Sequence, residues 1–177
     1  MKASNYSIFY QNLTAGLRRS RYGALLLNLV NRALTLTMYI LYPLMIVYLL
    51  LTGFRSGGAA GAIDRALPYI LVPGISFVLL SIVRNRLNWK RPYEEHDLQP
   101  LIQKNTKGQS MPSRHVFSCT IIAMCVLSMN LPAGIVCLLC SLILCVVRVL
   151  GGVHYPRDVA AGLIIGLIAG SLLFAII

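Results

Sequence analysis

The sequence predicts an all-α integral membrane protein: a helical bundle of about five transmembrane helices behind an N-terminal interfacial helix. Three observations carry this. Of 177 residues, 57% are hydrophobic and only 12% charged, about half the charged share of a soluble globular domain. The mean hydropathy is +0.73. The apolar residues are gathered into runs separated by polar or glycine-rich breaks, and a helix crosses a bilayer with about 20 such residues. The same figures exclude a soluble domain and a disordered chain. The length fits one membrane-embedded domain, 1–177.

The first segment, 1–21, lacks the apolar centre of a cleavable signal. Ile8, Phe9, Tyr10, Leu13 and Leu17 recur at roughly helical spacing ahead of Arg18, Arg19 and Arg21. This predicts a short interfacial helix, with a frayed terminus as the alternative. The first span covers 33–51 and starts earlier in weaker form, at Ala24, interrupted by Asn28, Asn31 and Arg32. Pro43 inside it is tolerable in a membrane helix. A glycine-rich break at 53–65 precedes the second span, 66–83, and a polar loop runs over 84–114. Residues 116–147 are uncharged and too long for one span. Asn130-Leu131-Pro132 divides them into a tight hairpin, with spans near 115–129 and 133–150. A second break at 151–156 leads to the fifth span, 159–177, where Gly162, Gly166 and Gly170 form a ridge suited to close packing. With five spans, the N-terminus, the 84–114 loop and the 150–156 turn share one side.

The net charge is +11, from sixteen Lys and Arg against five acids. These basic residues sit at the ends of apolar runs, where lipid headgroups or a phosphate-bearing ligand lie. No aromatic-interleaved basic stretch is present, so nucleic acid is not an expected partner. Cys119, Cys125, Cys137, Cys140 and Cys145 all lie in apolar runs. Cys137-x-x-Cys140 has no second pair and no nearby His, so these are read as small hydrophobes, with no disulfide and no metal. Arg18, Arg19, Arg21, Arg55 and Arg65 read as snorkelling anchors. Glu94, Glu95, His96 and Asp97 are ligand types, but a solvated loop explains them more simply. Lys104 and Lys107 read as solvated or as attracting anionic headgroups.

Three clusters fall on the shared side: Arg84-x6-Arg91-Pro92, Pro112-Ser113-Arg114-His115 and Arg148-x5-His154-x3-Asp158. Ionisable groups at span ends need a reason, being expensive near hydrocarbon. Arginine forks bind phosphate bidentately, and a Ser hydroxyl with helix N-terminal N–H groups adds neutral donors. One His can attack phosphorus; a second can protonate the leaving oxygen and then activate water. Asp158 falls one helical turn after His154 and can hold its other ring nitrogen. The set fits metal-free phosphoryl transfer through a phosphohistidine.

These motifs resemble the type 2 phosphatidic acid phosphatase superfamily, membrane lipid phosphatases related to vanadium haloperoxidases. The family reads Lys-x6-Arg-Pro, Pro-Ser-Gly-His and Ser-Arg-x5-His-x3-Asp; here they stand as RNRLNWKRP, PSRH and VRVLGGVHYPRD across 84–158. The resemblance implies that His154 is the nucleophile, Asp158 its orienting partner, and His115 the general acid and base. It implies that Arg84, Arg91, Ser113 and Arg148 bind the phosphate. Arg84 stands for the family lysine, Arg114 for a glycine and Val147 for a serine. Arg114 is expected to add a phosphate contact or gate the site.

The expected activity is hydrolysis of a phosphate or diphosphate monoester of a lipid, such as phosphatidate, phosphatidylglycerol phosphate or polyprenyl diphosphate, with no cofactor. The expected partners are that substrate and membrane lipids; no oligomeric state follows. A phosphotransferase and a non-enzymatic anion or lipid-phosphate carrier are the rivals. In the cell membrane, the positive-inside rule places the site in the cytoplasm through Lys2, Arg18, Arg19 and Arg21, whereas the resemblance points outward.

Overall fold

The computed structural model describes residues 5–96 and 98–176. Among them every regular element is a helix: α1 Asn5–Arg19, α2 Gly23–Leu87, α3 Pro92–Glu95, α4 Arg114–Met129, α5 Leu131–Leu150, α6 Pro156–Ser171 and α7 Leu173–Ile176.

The long α2 is two limbs, 23–56 and 59–87, joined at Gly57 (φ −152°, ψ 24°) and Gly58 (φ 61°, ψ −148°). The Gly58 conformation is almost exclusive to glycine. The limbs fold back on each other. A methyl on Gly53 would lie 2.3 Å from the Gly61 carbonyl oxygen, and the Tyr42 hydroxyl donates to the Tyr69 carbonyl at 2.9 Å. Met45 and Leu49 of one limb pack with Ala66 and Tyr69 of the other. The predicted break at 53–65 therefore narrows to two residues. Gly53, Gly61 and the alanines stay helical, because small side chains let the two limbs approach. The first limb reaches about 50 Å, more than a bilayer's hydrocarbon.

The centre of the bundle is α4, with Val116, Phe117 and Cys119 to Cys125 all buried. Met38, Leu144 and Val159 surround its Val116, Cys119 and Ile122, and Leu80 and Ala169 cover Phe117 and Ile121. At 16 residues, about 24 Å, it is short for a span, but a helix enclosed by helices need not match the hydrocarbon thickness. The turn to α5 is as predicted: Asn130 Oδ1 accepts the Ala133 N–H at 2.9 Å, and Pro132 lies in the first turn. The glycine ridge of α6 packs on α4. Methyls on Gly162, Gly166 and Gly170 would lie 2.6 Å from Ser113 O, 2.7 Å from Thr120 Cβ and 2.4 Å from Met124 Cβ.

Leu44, Leu51, Ile75, Val78, Leu139, Val146 and Ile168 are each more than half exposed, an outer surface that lipid rather than water covers. By length and composition 23–95, Leu131–Leu150 and Pro156–Ile176 can cross a membrane. With 23–95 doubled back at Gly57 and the shorter α4 enclosed, the bundle has five crossing segments.

The N-terminal segment forms a helix over 5–19 rather than fraying. It buries Ser7, Tyr10 and Thr14 and leaves Ile8, Phe9 and Leu13 exposed, as suits a helix in the interface. The Tyr10 hydroxyl donates to Leu150 O at 3.0 Å and accepts from Leu101 N–H at 3.3 Å. Arg18, exposed like the other expected anchors, also makes contacts within the protein. Its Nε donates to Thr14 Oγ1 at 3.0 Å, its guanidinium covers the Tyr10 ring at 5.5 Å, and its Nη2 donates to Gln99 O. Arg19, Arg21, Arg55 and Arg65 remain exposed.

Candidate active site

The three clusters meet at the end of the bundle that also carries α1. Arg84, in the last turn of α2, is 3% exposed, and its Nη1 donates to Pro112 O at 2.6 Å. This ties the end of the second limb to the approach of α4. Arg91 caps α3 and is buried. Its Nε, Nη1 and Nη2 donate to the carbonyls of Gly108, Val153 and Gln109 at 3.0, 3.1 and 3.4 Å. Arg91 thus holds the loop to the α5–α6 turn and offers a ligand its charge and remaining N–H groups. Arg148, in the last turn of α5, is 2% exposed; its Nη1 donates to Asn31 Oδ1 at 3.3 Å.

Ser113 is the N-cap of α4, yet its hydroxyl makes no capping bond and stays unpartnered. Its N–H donates to Asp158 O at 2.9 Å, which locks the starts of α4 and α6 together. His115 follows in the first turn of α4. It opens into a cavity of about 330 Å³ lined by Asn31, Arg32, Thr35, Leu36, Tyr39 and His115. Tyr39 also lines a second, apolar cleft of about 250 Å³ with Tyr42, Phe77, Phe117 and Ile121.

His154 and Asp158 are within reach of each other, but not because they share a helix face. His154 precedes α6, whose N-cap is Tyr155. Asp158 sits in the first turn, where its Oδ2 accepts the Tyr155 N–H at 3.0 Å and the Ser110 hydroxyl at 2.5 Å. The same oxygen lies 3.6 Å from His154 Nδ1, just beyond hydrogen-bond length. Burial holds the His154 imidazole below its ordinary range, with Asp158 opposing and Arg148 and Arg91 reinforcing the shift. Burial thus favours the neutral imidazole at His154.

Arg84 Nε, Arg148 Nε and Nη2, Ser113 Oγ, His154 Nδ1 and Asp158 Oδ1 are buried without a hydrogen-bond partner. Such orphans are costly unless a ligand meets them. Among the described residues the buried charged side chains are Arg84, Arg91, Arg148 and Asp158; Asp158 Oδ1 also lies 3.8 Å from Nε of the exposed Arg157, so positive charge is in excess. Arg114 stands apart: it is exposed, with its guanidinium 6.0 Å from the Phe77 ring, at the rim.

The acidic stretch proves to be loop scaffolding. Glu94 accepts the Gly108 N–H at 2.9 and 2.8 Å and the Arg91 N–H at 2.8 Å. Glu95 accepts the Tyr155 hydroxyl at 2.8 Å, and His96 stacks on Tyr6 at 4.9 Å. Asp97 lies outside the described residues. Lys104 is half-buried rather than solvated. Burial, then Arg148, Arg91, Arg84 and Arg114, pushes its ammonium down to about 7. Sequence reasoning also missed Ser110 and Asn31, neither of which belongs to a motif.

No protein of curated function matches the chain by sequence. Two solved structures resemble it in fold. LpxE of Aquifex aeolicus is 23% identical, with a TM-score of 0.69 over 95% of this chain and 93% of that one. A PAP2-type phosphatidylglycerolphosphate phosphatase of Bacillus subtilis is 21% identical, with a TM-score of 0.54 over 95% and 92%. The sequence profile of the PAP2 superfamily matches residues 45–177, which takes in all three clusters and four of the five crossing segments. On that match the chain belongs to the PAP2 superfamily.

Proposed function

We propose that this protein is a membrane lipid phosphatase that hydrolyses a phosphate or diphosphate monoester through a phosphohistidine. The observation that carries the reading is the set of unpartnered buried donors on Arg84, Arg148 and Ser113 around a neutral His154. The excess of buried arginine over carboxylate suits a phosphate ester, and Ser113 stands at the N-terminus of α4, where the helix dipole favours an anion.

In the first step the His154 Nε2 lone pair attacks phosphorus, forming the N–P bond as the P–O bond to the lipid breaks. His115, protonated once the bound dianion offsets the surrounding arginines, donates that proton to the departing oxygen, and Asp158 accepts a hydrogen bond from Nδ1–H of His154, fixing the tautomer. In the second step His115 takes a proton from water, whose oxygen attacks phosphorus. The N–P bond breaks, its electrons return to His154, and phosphate leaves. Arg84, Arg91, Arg148 and Ser113 hold the phosphoryl oxygens throughout, with Arg114 at the rim. The arginines supply the positive charge that a metal brings elsewhere.

An amphiphilic substrate suits the cavities. The headgroup reaches His115 between Asn31 and Tyr39 while the tail lies along the apolar cleft beside Phe77 and Phe117. The site faces the side that carries α1, which the N-terminal charges assign to the cytoplasm.

The test is phosphate release by purified protein in detergent over a panel of phosphatidate, phosphatidylglycerol phosphate and polyprenyl diphosphate, with excess EDTA. We expect turnover that EDTA leaves intact. We expect His154→Ala to abolish it and His115→Ala to reduce it at least about a hundredfold. Full activity of His154→Ala sinks the mechanism. Phosphate appearing on an added alcohol instead of in water indicates a phosphotransferase, and binding without turnover a carrier. Loss of activity in EDTA with recovery on Mg²⁺ overturns the metal-free reading.

A further inference from the structure

The loop between α3 and α4 passes over the buried arginines and is pinned at two places. At the first pin, Leu98 and Ile102 are buried. Ile102 N–H donates to Gly151 O at 3.1 Å, and Leu101 O accepts from Asn28 Nδ2 at 3.0 Å. At the second, Gly108 is held between Glu94 and Arg91, and Tyr93 Oη donates to Thr106 O at 2.5 Å. Between the pins Gln103, Asn105, Thr106 and Lys107 are exposed, whereas Lys104 is half-buried.

Its ammonium lies within Coulombic reach of Arg84, Arg91, Arg114 and Arg148 and of His115. Among the described residues it has no hydrogen bond or ion pair. A lysine on an exposed loop ordinarily extends into water. Placing one half-buried in the field of four arginines costs free energy through desolvation and like-charge repulsion, unless an anion offsets the charge.

We infer that Lys104 is a further phosphate-binding residue of this site, brought by the loop rather than by a helix end, and that it sets the affinity for the substrate's phosphate group. The inference rests on the proposed reading that the site takes a phosphate ester, and it adds a residue outside the three motifs.

Its signature is a pH dependence. In the empty site Lys104 titrates at about 7; a bound dianion favours the ammonium, so binding takes up a proton and weakens as pH rises above about 7. The groups facing it are Arg84 of α2, Arg91 beside α3, Arg114 and His115 of α4, and Arg148 of α5. His154 and Asp158 lie deeper in the same site. Guanidinium groups stay charged across this range, and the histidines are common to wild type and variants, so a comparison isolates Lys104.

The experiment is calorimetric binding of inorganic phosphate to the full chain in detergent, alongside KM and kcat on lipid phosphates, for wild type, Lys104→Gln and Lys104→Arg. We expect Lys104→Gln to weaken phosphate binding about tenfold at pH 6.5 and to raise KM more than it lowers kcat. Lys104→Arg should bind nearly as wild type does at pH 6.5 but lose the weakening between pH 7 and 9. Unchanged phosphate affinity in a folded Lys104→Gln overturns the inference, as does wild type that binds no phosphate. If Lys104→Gln fails to fold, a Lys104→Arg profile parallel to wild type overturns it and a flat one supports it. If the affinities behave as expected while no lipid phosphate is hydrolysed, Lys104 stands and the phosphatase reading falls.

Discussion

Asp158 is fully buried, and its Oδ2 is shared by Ser110, the Tyr155 N–H and, at 3.6 Å, His154. A carboxylate held by two donors keeps the orientation that the imidazole needs. On the proposed mechanism Ser110 is a positioning residue, acting through Asp158. Ser110→Ala removes a charge-assisted bond worth about 2 kcal/mol. We expect kcat to fall about tenfold with little change in KM, and Ser110→Thr to restore most of it. A loss in KM alone would argue against positioning. Asp158→Asn keeps the shape but not the charge, so steady-state assays should show a deeper fall in kcat than for Ser110→Ala, yet less than for His154→Ala. Arg91, by contrast, is tied by its guanidinium to three backbone carbonyls, so its loss should loosen the loop as well as the phosphate.

At the scale of elements, the proposed catalysis requires a close approach of α4 and α6. Gly162 faces the Ser113 carbonyl and Gly166 the side chain of Thr120, so both keep the helices at a separation that lets Ser113 N–H reach Asp158 O. Any side chain at Gly162 meets backbone that cannot swing aside. Gly162→Ala is expected to lower kcat by displacing Ser113 and His115. Gly166→Val, set against Thr120, should lower the thermal unfolding midpoint in detergent by several degrees, an overpacking cost of about 1–3 kcal/mol. Activity and unfolding scans on the two variants check this; a Gly162→Ala protein with wild-type kcat would show that the separation is not critical. The hydropathy of α6 and its glycine spacing announce this packing in the sequence. The identity of the partner helix is not announced.

At the scale of the molecule, α1 and the 84–114 loop close one end of the bundle, joined through Tyr10, Arg18 and the backbone of Gln99 and Leu101. The basic residues used in the charge argument therefore divide. Arg18 bonds within this clamp, while Arg19 and Arg21, exposed, carry the proposed cytoplasmic side. Lys107 is exposed on the same loop and is a clean reporter, unlike the half-buried Lys104. With the native cysteines replaced, Lys107→Cys should react with a membrane-impermeant maleimide only after cells are permeabilised. Labelling of intact cells would place the site outside.

Hydropathy alone determined that the chain crosses a membrane as helices, because each span is a local property of about 20 residues. Spacing alone picked out the residues of the three clusters, because the chemistry of arginine, histidine and aspartate limits what such sets can do. Only the tertiary structure decided the rest. It narrowed a thirteen-residue break to Gly57 and Gly58, since small residues stay helical where limbs can touch. It replaced the shared helix face of His154 and Asp158 with an N-terminal turn. It brought in Ser110 from 48 residues away and Asn31 from 117, and left Lys104 half-buried. Contacts of that range leave no periodicity or motif in the chain, because they depend on which helix ends the packed bundle brings together.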